Sequence, residues 1–586
     1  MSTHLLSTVY GENLSTDSVL NEYPRPQLER ENWQNLNGFW DYAITKSADT
    51  PEIYGGKILV PFSPEAPLSG VSRKVLPGDF LHYRLIFEHR AAEGQRTILH
   101  FGAVDERCTV FLNGKTVGSH RGGYLPFSFD ITDALRSGEN VLTLSVQDDS
   151  DTSFHANGKQ SLRRGDIWYT AQSGIWQTVW LEDVPENYLR SLKIEPDFDG
   201  GAVCLTIDAP QVFGTALVIL ADGKTVWEGN FPTSGFLRCI LPDPHPWSPE
   251  DPFLYRLILT LPGGDKVKSY FGLRKFSVET AADGKRRLFL NGKPLFQSGA
   301  LDQGYWPDGL YTAPSDEAMI GDIAAMKRLG FNMLRKHIKI EPLRWYYHCD
   351  RLGMLVWQDM VSGGIPKHST LRSALSLFVT RTLKDGNYRF FGREDEAGRQ
   401  EFYDDMAGTV FLLYNSPCVS LWTIFNEGWG QFDSKKALEK LSALDKSRPI
   451  DHASGWHDQG IGDFLSLHVY FRKFRMKKDP RAVILSEFGG YNCHIEHHSY
   501  NDENYGYRRF PDCGTLTEAF KRLYREEIIP AKEQGLCAAV YTQLSDVEDE
   551  QNGILTYDRR ICKLPETEIA ALNAILTENE TFSEKV

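Results

Sequence analysis

The chain has 586 residues, 41% hydrophobic and 12% aromatic, with a formal net charge of -14 at neutral pH. That length exceeds one ordinary domain, and the apolar content supports sizeable cores, which excludes a disordered chain. The acidic balance disfavours nucleic acid or an anionic membrane as a partner. Nine cysteines without CxxC spacing fit a reducing compartment better than a disulfide scaffold. Met1 to Asn21 lacks a secretory apolar core and no run of 18 apolar residues occurs, so a cytoplasmic protein without a membrane span is expected.

Residues 1–185 read as an all-β jelly-roll sandwich. Alternating runs such as Leu81-His82-Tyr83-Arg84-Leu85-Ile86-Phe87 and Cys108-Thr109-Val110-Phe111-Leu112 are separated by turn signals like Asn113-Gly114. A second β-rich stretch, 186–277, has the length of an immunoglobulin-like β-sandwich. From 278 to 586 strand-like apolar runs alternate with amphipathic helical patterns, as repeated βα units require. Strands are predicted at 294–299, 331–337, 354–360, 419–426, 449–454, 464–470, 482–487 and 537–545. Helices are predicted at 316–329, 342–352, 397–415, 433–446, 515–529 and 564–576. Eight strands in this order make a complete (β/α)8 TIM barrel.

Two of these strands end in a glutamate: Val419-Ser420-Leu421-Trp422-Thr423-Ile424-Phe425-Asn426-Glu427 and Ala482-Val483-Ile484-Leu485-Ser486-Glu487. The C-terminal mouth of a barrel is where its chemistry sits. Two carboxylates facing one mouth are what glycosidic-bond cleavage needs, one to protonate the leaving oxygen and one at the anomeric carbon. Either glutamate alone is as readily a strand cap paired to an arginine. The pair, with Asn426 directly before the first, points to a glycoside hydrolase.

Other strand ends supply candidate sugar ligands. Arg335 and His337 end the second strand, His468 and Tyr470 the sixth, and Gln543 the eighth; Asp302 follows the first, and Trp357 sits on the third. Carboxylates, amides and imidazoles bind adjacent hydroxyls, and a Trp face takes the apolar side of a sugar. Cys493-His494-Ile495-Glu496-His497-His498 matches no zinc spacing, so neither a metal nor another cofactor is expected.

Six motifs carry a family resemblance: Asn37-Gly38-Phe39-Trp40, Ser173-Gly174-Ile175-Trp176-Gln177, Gly330-Phe331-Asn332-Met333-Leu334-Arg335, Cys349-Asp350-Arg351-Leu352-Gly353, Phe425-Asn426-Glu427-Gly428-Trp429 and Ser486-Glu487-Phe488-Gly489. With the domain order they make the whole chain similar to glycoside hydrolase family 2, with its β-galactosidases, β-glucuronidases and β-mannosidases. The resemblance implies a retaining mechanism with Glu427 as acid/base and Glu487 as nucleophile. It also implies that Asn426 holds the sugar 2-hydroxyl, that Arg335 and Tyr470 contact Glu487, and that the loop bearing Lys159 and Gln160 reaches the mouth.

The chain departs from the family in two places that bear on the sugar. The arginine is followed by Lys336-His337-Ile338-Lys339 instead of Ser-His-Tyr-Pro, and the third strand reads Trp357-Gln358-Asp359-Met360, closer to β-mannosidases. The segment 361–396 is a candidate rim loop. Around 545–555 the sequence is acidic and lacks the Asn-x-Lys element of the family's glucuronidases, whereas Arg472, Lys473, Arg475, Lys477 and Lys478 form a basic run. The expectation is an exo-β-glycosidase, a β-galactosidase first, a β-hexuronidase second if the basic run joins Lys336 and Lys339 in an anion clamp, and a β-mannosidase third. A catalytically silent carbohydrate-binding protein is the rival from another class. The expected partner is a glycoside, with homo-oligomerisation left open.

Overall fold

The computed structural model describes residues 5–90, 92–364, 382–502 and 506–578. The first sandwich packs a six-stranded antiparallel sheet against a four-stranded one. Strand Gly138–Gln147 shows the period of two that a half-buried strand requires: Asn140, Leu142, Leu144 and Val146 turn inward. Leu142, Leu144 and Val146 join Trp40, Tyr83, Leu99, Val110 and Ile175 in one core. The second sandwich has a three-stranded and a four-stranded sheet around Ile194, Leu205, Leu217 and Leu257.

The remaining strands form one parallel eight-stranded sheet: β1 (Gln297–Asp302), β2 (Met333–Lys336), β3 (Leu355–Asp359), β4 (Val419–Thr423), β5 (Ile450–Asp451), β6 (Phe464–Val469), β7 (Ala482–Gly489) and β8 (Leu536–Thr542). The order β5-β4-β3-β2-β1-β8-β7-β6 wraps the sheet into a TIM barrel, with the one unlinked seam between β5 and β6. Strand β1 lies three residues beyond its predicted start, because Lys293–Pro294 pairs back on Phe289 and Leu290 in an outer hairpin.

Helices α1 (Asp316–Arg328), α2 (Leu343–Leu352), α3 (Glu396–Leu413), α4 (Ser434–Leu444) and α6 (Glu566–Thr577) lie close to their predicted spans, and α5 (Cys513–Leu523) ends short of its own. Helix α1 starts where Ser315 accepts from the Ala318 N–H, has acids in its first turn, and ends in Lys327 and Arg328, complementing its dipole. The predicted 515–529 helix instead widens into a π-turn at Tyr524–Ile528 and restarts at Ile529–Gln534, where Pro530 fits only a first helical turn. Residues 365–381 of the proposed rim loop lie outside the described residues.

The layers are tied by buried polar contacts. Arg30 donates to Glu182 of the first sandwich at 2.9 Å and to Asp265 of the second at 2.9 Å. In α2, Asp350 accepts from Tyr270 at 2.7 Å and from the Cys418 N–H at 2.8 Å. The Cys349-Asp350-Arg351 motif is therefore a joint between sandwich and barrel.

Candidate active site

Arg335 organises the mouth. Its side chain is fully buried at the end of β2 and donates from Nε and Nη2 to Asp359 on β3 at 3.0 and 2.9 Å. Nη1 reaches Glu487 Oε1 at 3.0 Å, and Nη2 reaches Asn426 Oδ1 at 2.8 Å. A planar fork with five donors can hold three acceptors in one plane, which a lysine cannot. Burial raises the Glu487 carboxyl, but His468, Arg335, His337 and the Tyr470 hydroxyl outweigh it and hold it below the usual carboxylate range. Burial raises Asp359 too, and Arg335 and His337 bring it below its ordinary value.

Tyr470 donates its hydroxyl to Glu487 Oε2, and its ring is stacked on Tyr507 at 4.0 Å. His468 crosses the seam, meeting Glu427 Oε1 through Nδ1 at 2.9 Å and the Ser454 hydroxyl through Nε2 at 2.9 Å. Glu427 lies beyond β4 with φ of 50°, and its backbone N–H is held by the Ser454 carbonyl at 2.9 Å. One donor atom each of Glu427, His468 and Glu487 falls within 4.8 Å of the others. Those three atoms resemble a metal ligand set, yet Arg335 already occupies the Glu487 oxygen at 3.0 Å. A second such group, Glu106, Asp149 and His155, belongs to the first sandwich, with Arg107 and Arg121 against it.

Glu427, Glu487, Asn426, Arg335, His468 and Tyr470 thus converge, and His337 joins them through Asp359, 2.9 Å from its Nδ1. Asn426 Nδ2 is buried with no acceptor among the described residues, a donor free for a hydroxyl. Four other candidates are held by neighbouring protein groups. Asp302 accepts from Lys336 at 2.6 Å, and Gln543 accepts from Gln303 at 2.7 Å. Trp357 is fully buried inside the barrel, donating to Gln297 at 2.5 Å. Gln160 is held inside the first sandwich by Asp105 at 2.9 Å and Tyr124 at 3.0 Å.

The loop carrying Gln160 nevertheless docks on the barrel. Asn157 and Gly158 both donate to the Ser362 carbonyl at 3.0 Å, and Arg164 reaches Asp549 at 3.0 Å. Gly158, at φ of 57°, lies so close that a Cβ would sit 2.8 Å from the Ile338 carbonyl. Lys159 turns toward Glu550, 3.7 Å away, and Trp168 meets Trp429 with ring centroids 5.1 Å apart. Of these, Trp429 carried a sequence signal in its place two residues after Glu427, and Lys159 in the family resemblance of its loop. Tyr507 and Trp168 gave none, because neither ends a strand.

In the basic run Arg472, Lys473, Arg475, Lys477 and Lys478 are exposed. Lys336 and Lys339 are buried and both bound to Glu341 at 2.8 Å. In the histidine-rich loop, His494 and His498 diverge to Gln551 and Asp558.

Residues 71–185 match the description "Glycosyl hydrolases family 2, sugar binding domain", 213–274 match "Glycosyl hydrolases family 2", and 284–529 match "Glycosyl hydrolases family 2, TIM barrel domain". A β-galactosidase of Klebsiella pneumoniae (strain 342) is 27% identical over 418 residues, 66% of this chain and 36% of the relative. One of Vibrio vulnificus (strain YJ016) is 26% identical over 483 residues, 77% of this chain and 41% of the relative. The chain therefore spans about two fifths of the length of the relatives it matches. Among solved structures, the β-D-glucuronidase of Dictyoglomus thermophilum superposes with a TM-score of 0.72 at 18% identity, covering 94% of this chain and 98% of that one. A β-galacturonidase from Eisenbergiella tayi bound to galacturonate gives 0.69 at 19%, covering 94% and 99%. These two show the fold alone. With three family descriptions matched in order along two sandwiches and a barrel, the chain belongs to glycoside hydrolase family 2.

Proposed function

We propose that the protein is a retaining exo-β-glycosidase acting on a neutral hexoside, a β-galactoside first. The observation that carries the reading is the carboxylate pair, with oxygens of Glu427 and Glu487 within 4.8 Å of each other. Retaining enzymes hold their carboxyl groups about 5–5.5 Å apart, and inverting ones leave about 6.5–9.5 Å for a water. Glu487, kept ionised by its cations, attacks the anomeric carbon while Glu427 protonates the departing oxygen. In the second step Glu427 takes a proton from water, which displaces Glu487 from the same carbon. Asn426 Nδ2 binds the 2-hydroxyl, a contact that tightens as the oxocarbenium ion forms.

A neutral sugar is supported by the charges near the mouth. Glu548, Asp549 and Glu550 are buried beyond β8, the basic run is exposed, and Lys336 and Lys339 are neutralised internally. The β-hexuronide reading keeps one observation in its favour, the buried ammonium of Lys159, but Glu550 stands 3.7 Å from it. A panel of nitrophenyl glycosides tests the sugar: β-galactoside should turn over fastest, and faster hydrolysis of a galacturonide or glucuronide would sink the neutral reading. A 2-fluoro glycosyl inactivator should label Glu487 covalently; label on Glu427 would reverse the two roles. Glu427→Ala should slow substrates with poor leaving groups far more than aryl glycosides, with azide restoring the second step.

A further inference from the structure

We propose that Ser454 is a positioning residue for the acid/base: its hydroxyl fixes which nitrogen of His468 carries the imidazole proton, and so keeps the proton meant for the leaving oxygen between Glu427 and His468. The inference rests on the glycosidase reading above, with Glu427 as proton donor, and goes beyond it to what keeps that donor loaded. It begins with a serine that no motif singled out. Ser454 is fully buried just beyond β5, at the unlinked seam beside β6.

Ser454 holds the strand of the acid/base through its backbone. Its N–H donates to the Phe425 carbonyl at 2.8 Å, and its carbonyl accepts from the Glu427 N–H at 2.9 Å. Its hydroxyl lies 2.9 Å from His468 Nε2 on one side and donates to the Ser486 hydroxyl at 2.9 Å on the other. Ser486 is buried too, with the Ser466 hydroxyl at 2.7 Å and the Leu467 carbonyl at 3.3 Å. A carbonyl only accepts, so the chain ends there and runs one way, from Ser454 to Ser486 to Leu467.

A hydroxyl has one proton to donate. With that of Ser454 directed at Ser486, its oxygen accepts from His468, and Nε2 carries the N–H. Nδ1 is then left with a lone pair 2.9 Å from Glu427 Oε1. Two acceptors at that distance need a proton between them, and this is the proton the leaving oxygen takes. The serine itself passes no proton. Around the pair stand Glu487, its Oε1 3.6 Å from Nε2, and Arg335 and Tyr470, which hold Glu487. Beside Ser466 stands Asp451 of β5, a carboxyl that burial raises.

Ser454→Ala frees the imidazole to move its proton to Nδ1, where it fills the contact with Glu427 and no further proton is needed. Ser486→Ala has the same effect by another route, since Ser454 can then donate to Nε2. In both full-chain variants the basic limb of kcat/KM should move to lower pH by about one pH unit, the worth of one hydrogen bond to a charged group. Methyl β-galactoside, with its poor leaving group, should lose about tenfold more than 4-nitrophenyl β-galactoside. If another sugar wins the panel, its methyl and aryl glycosides replace these. A serine that only supports packing would lower both substrates alike and leave the limb in place, and that result would overturn the proposal. The tautomer is read from the nitrogen NMR spectrum of enzyme isotopically labelled at histidine, above the basic limb, with His468 assigned by its loss in His468→Gln. Nε2–H in the parent and Nδ1–H in Ser454→Ala is the expected result; Nδ1–H in the parent would overturn the proposal. No substrate enters that measurement, so an error in the role of Glu427 would show in Glu427→Ala and leave the tautomer untouched.

Discussion

At the scale of single residues the site is governed by one guanidinium. Arg335 touches Asp359, Glu487 and Asn426 at once, so it aims the nucleophile and the 2-hydroxyl donor with the same plane of atoms. Arg335→Lys keeps a charge but cannot span three acceptors, and kcat/KM should fall about 10²-fold or more from misplacement alone. Arg335→Met removes a cation that depresses Glu487, so the acid limb of the kcat/KM profile should move to higher pH. An unmoved limb would mean that a group other than Glu487 is titrating. These residues were legible because each ends a barrel strand. Trp357 shares the inward face of β3 with Asp359 but sits one layer lower, where it meets Gln297. Lys159 and Gln160, adjacent on one loop, turn to opposite sides, and nothing in the sequence says which faces the barrel.

At the scale of elements the unlinked seam between β5 and β6 matters most. It leaves room for His468 to cross to Glu427, and Gly455, at φ of 86°, makes that room, since a Cβ there would lie 2.7 Å from the imidazole Cγ. Gly455→Ala should displace His468 and add strain at a left-handed position, reducing kcat/KM by about tenfold or more while the second sandwich stays folded. A crystal structure of the variant with His468 still 2.9 Å from Glu427 would count against this account. Barrel strands were legible because each reads as an apolar run between helices of regular spacing. The pairing of Lys293–Pro294 and the break before Pro530 were not, because both depend on what the segment packs against. The exposed run after β6 gives a contrasting expectation. Neutralising Arg472, Lys473, Arg475, Lys477 and Lys478 together should leave kcat/KM for a galactoside within a few-fold, because exposed charges are screened by salt.

For the whole molecule, the mouth is built by the barrel and the first-sandwich loop docked on it, and the buried acids of the first sandwich set how stability responds to pH. Burial pushes Glu65 up to about 8, although it accepts from the Val75 and Ser173 N–H groups. Burial likewise raises Glu106 to about 7 against the pull of His155, and raises Asp148 to about 6. In the unfolded chain such carboxyls lose their protons near pH 4 to 4.5. Between there and about pH 8 the folded state therefore binds more protons than the unfolded one, and stability must fall as pH rises. Each retained proton contributes a slope of at most ~1.4 kcal/mol per pH unit. Below that window the sign reverses. Asp316 and Asp458 are both raised by burial, but Asp316 is pulled far below its ordinary value by Arg344 and His348, and Asp458 by Arg481 and His452, so their stabilisation is lost as acid protonates them. The melting temperature should thus peak near pH ~5 and decline toward pH 8. Glu65→Gln cannot ionise, so it should flatten the decline above the peak whatever its own melting temperature. A Glu65→Gln slope equal to that of the parent would show that this carboxyl is already ionised in the folded protein.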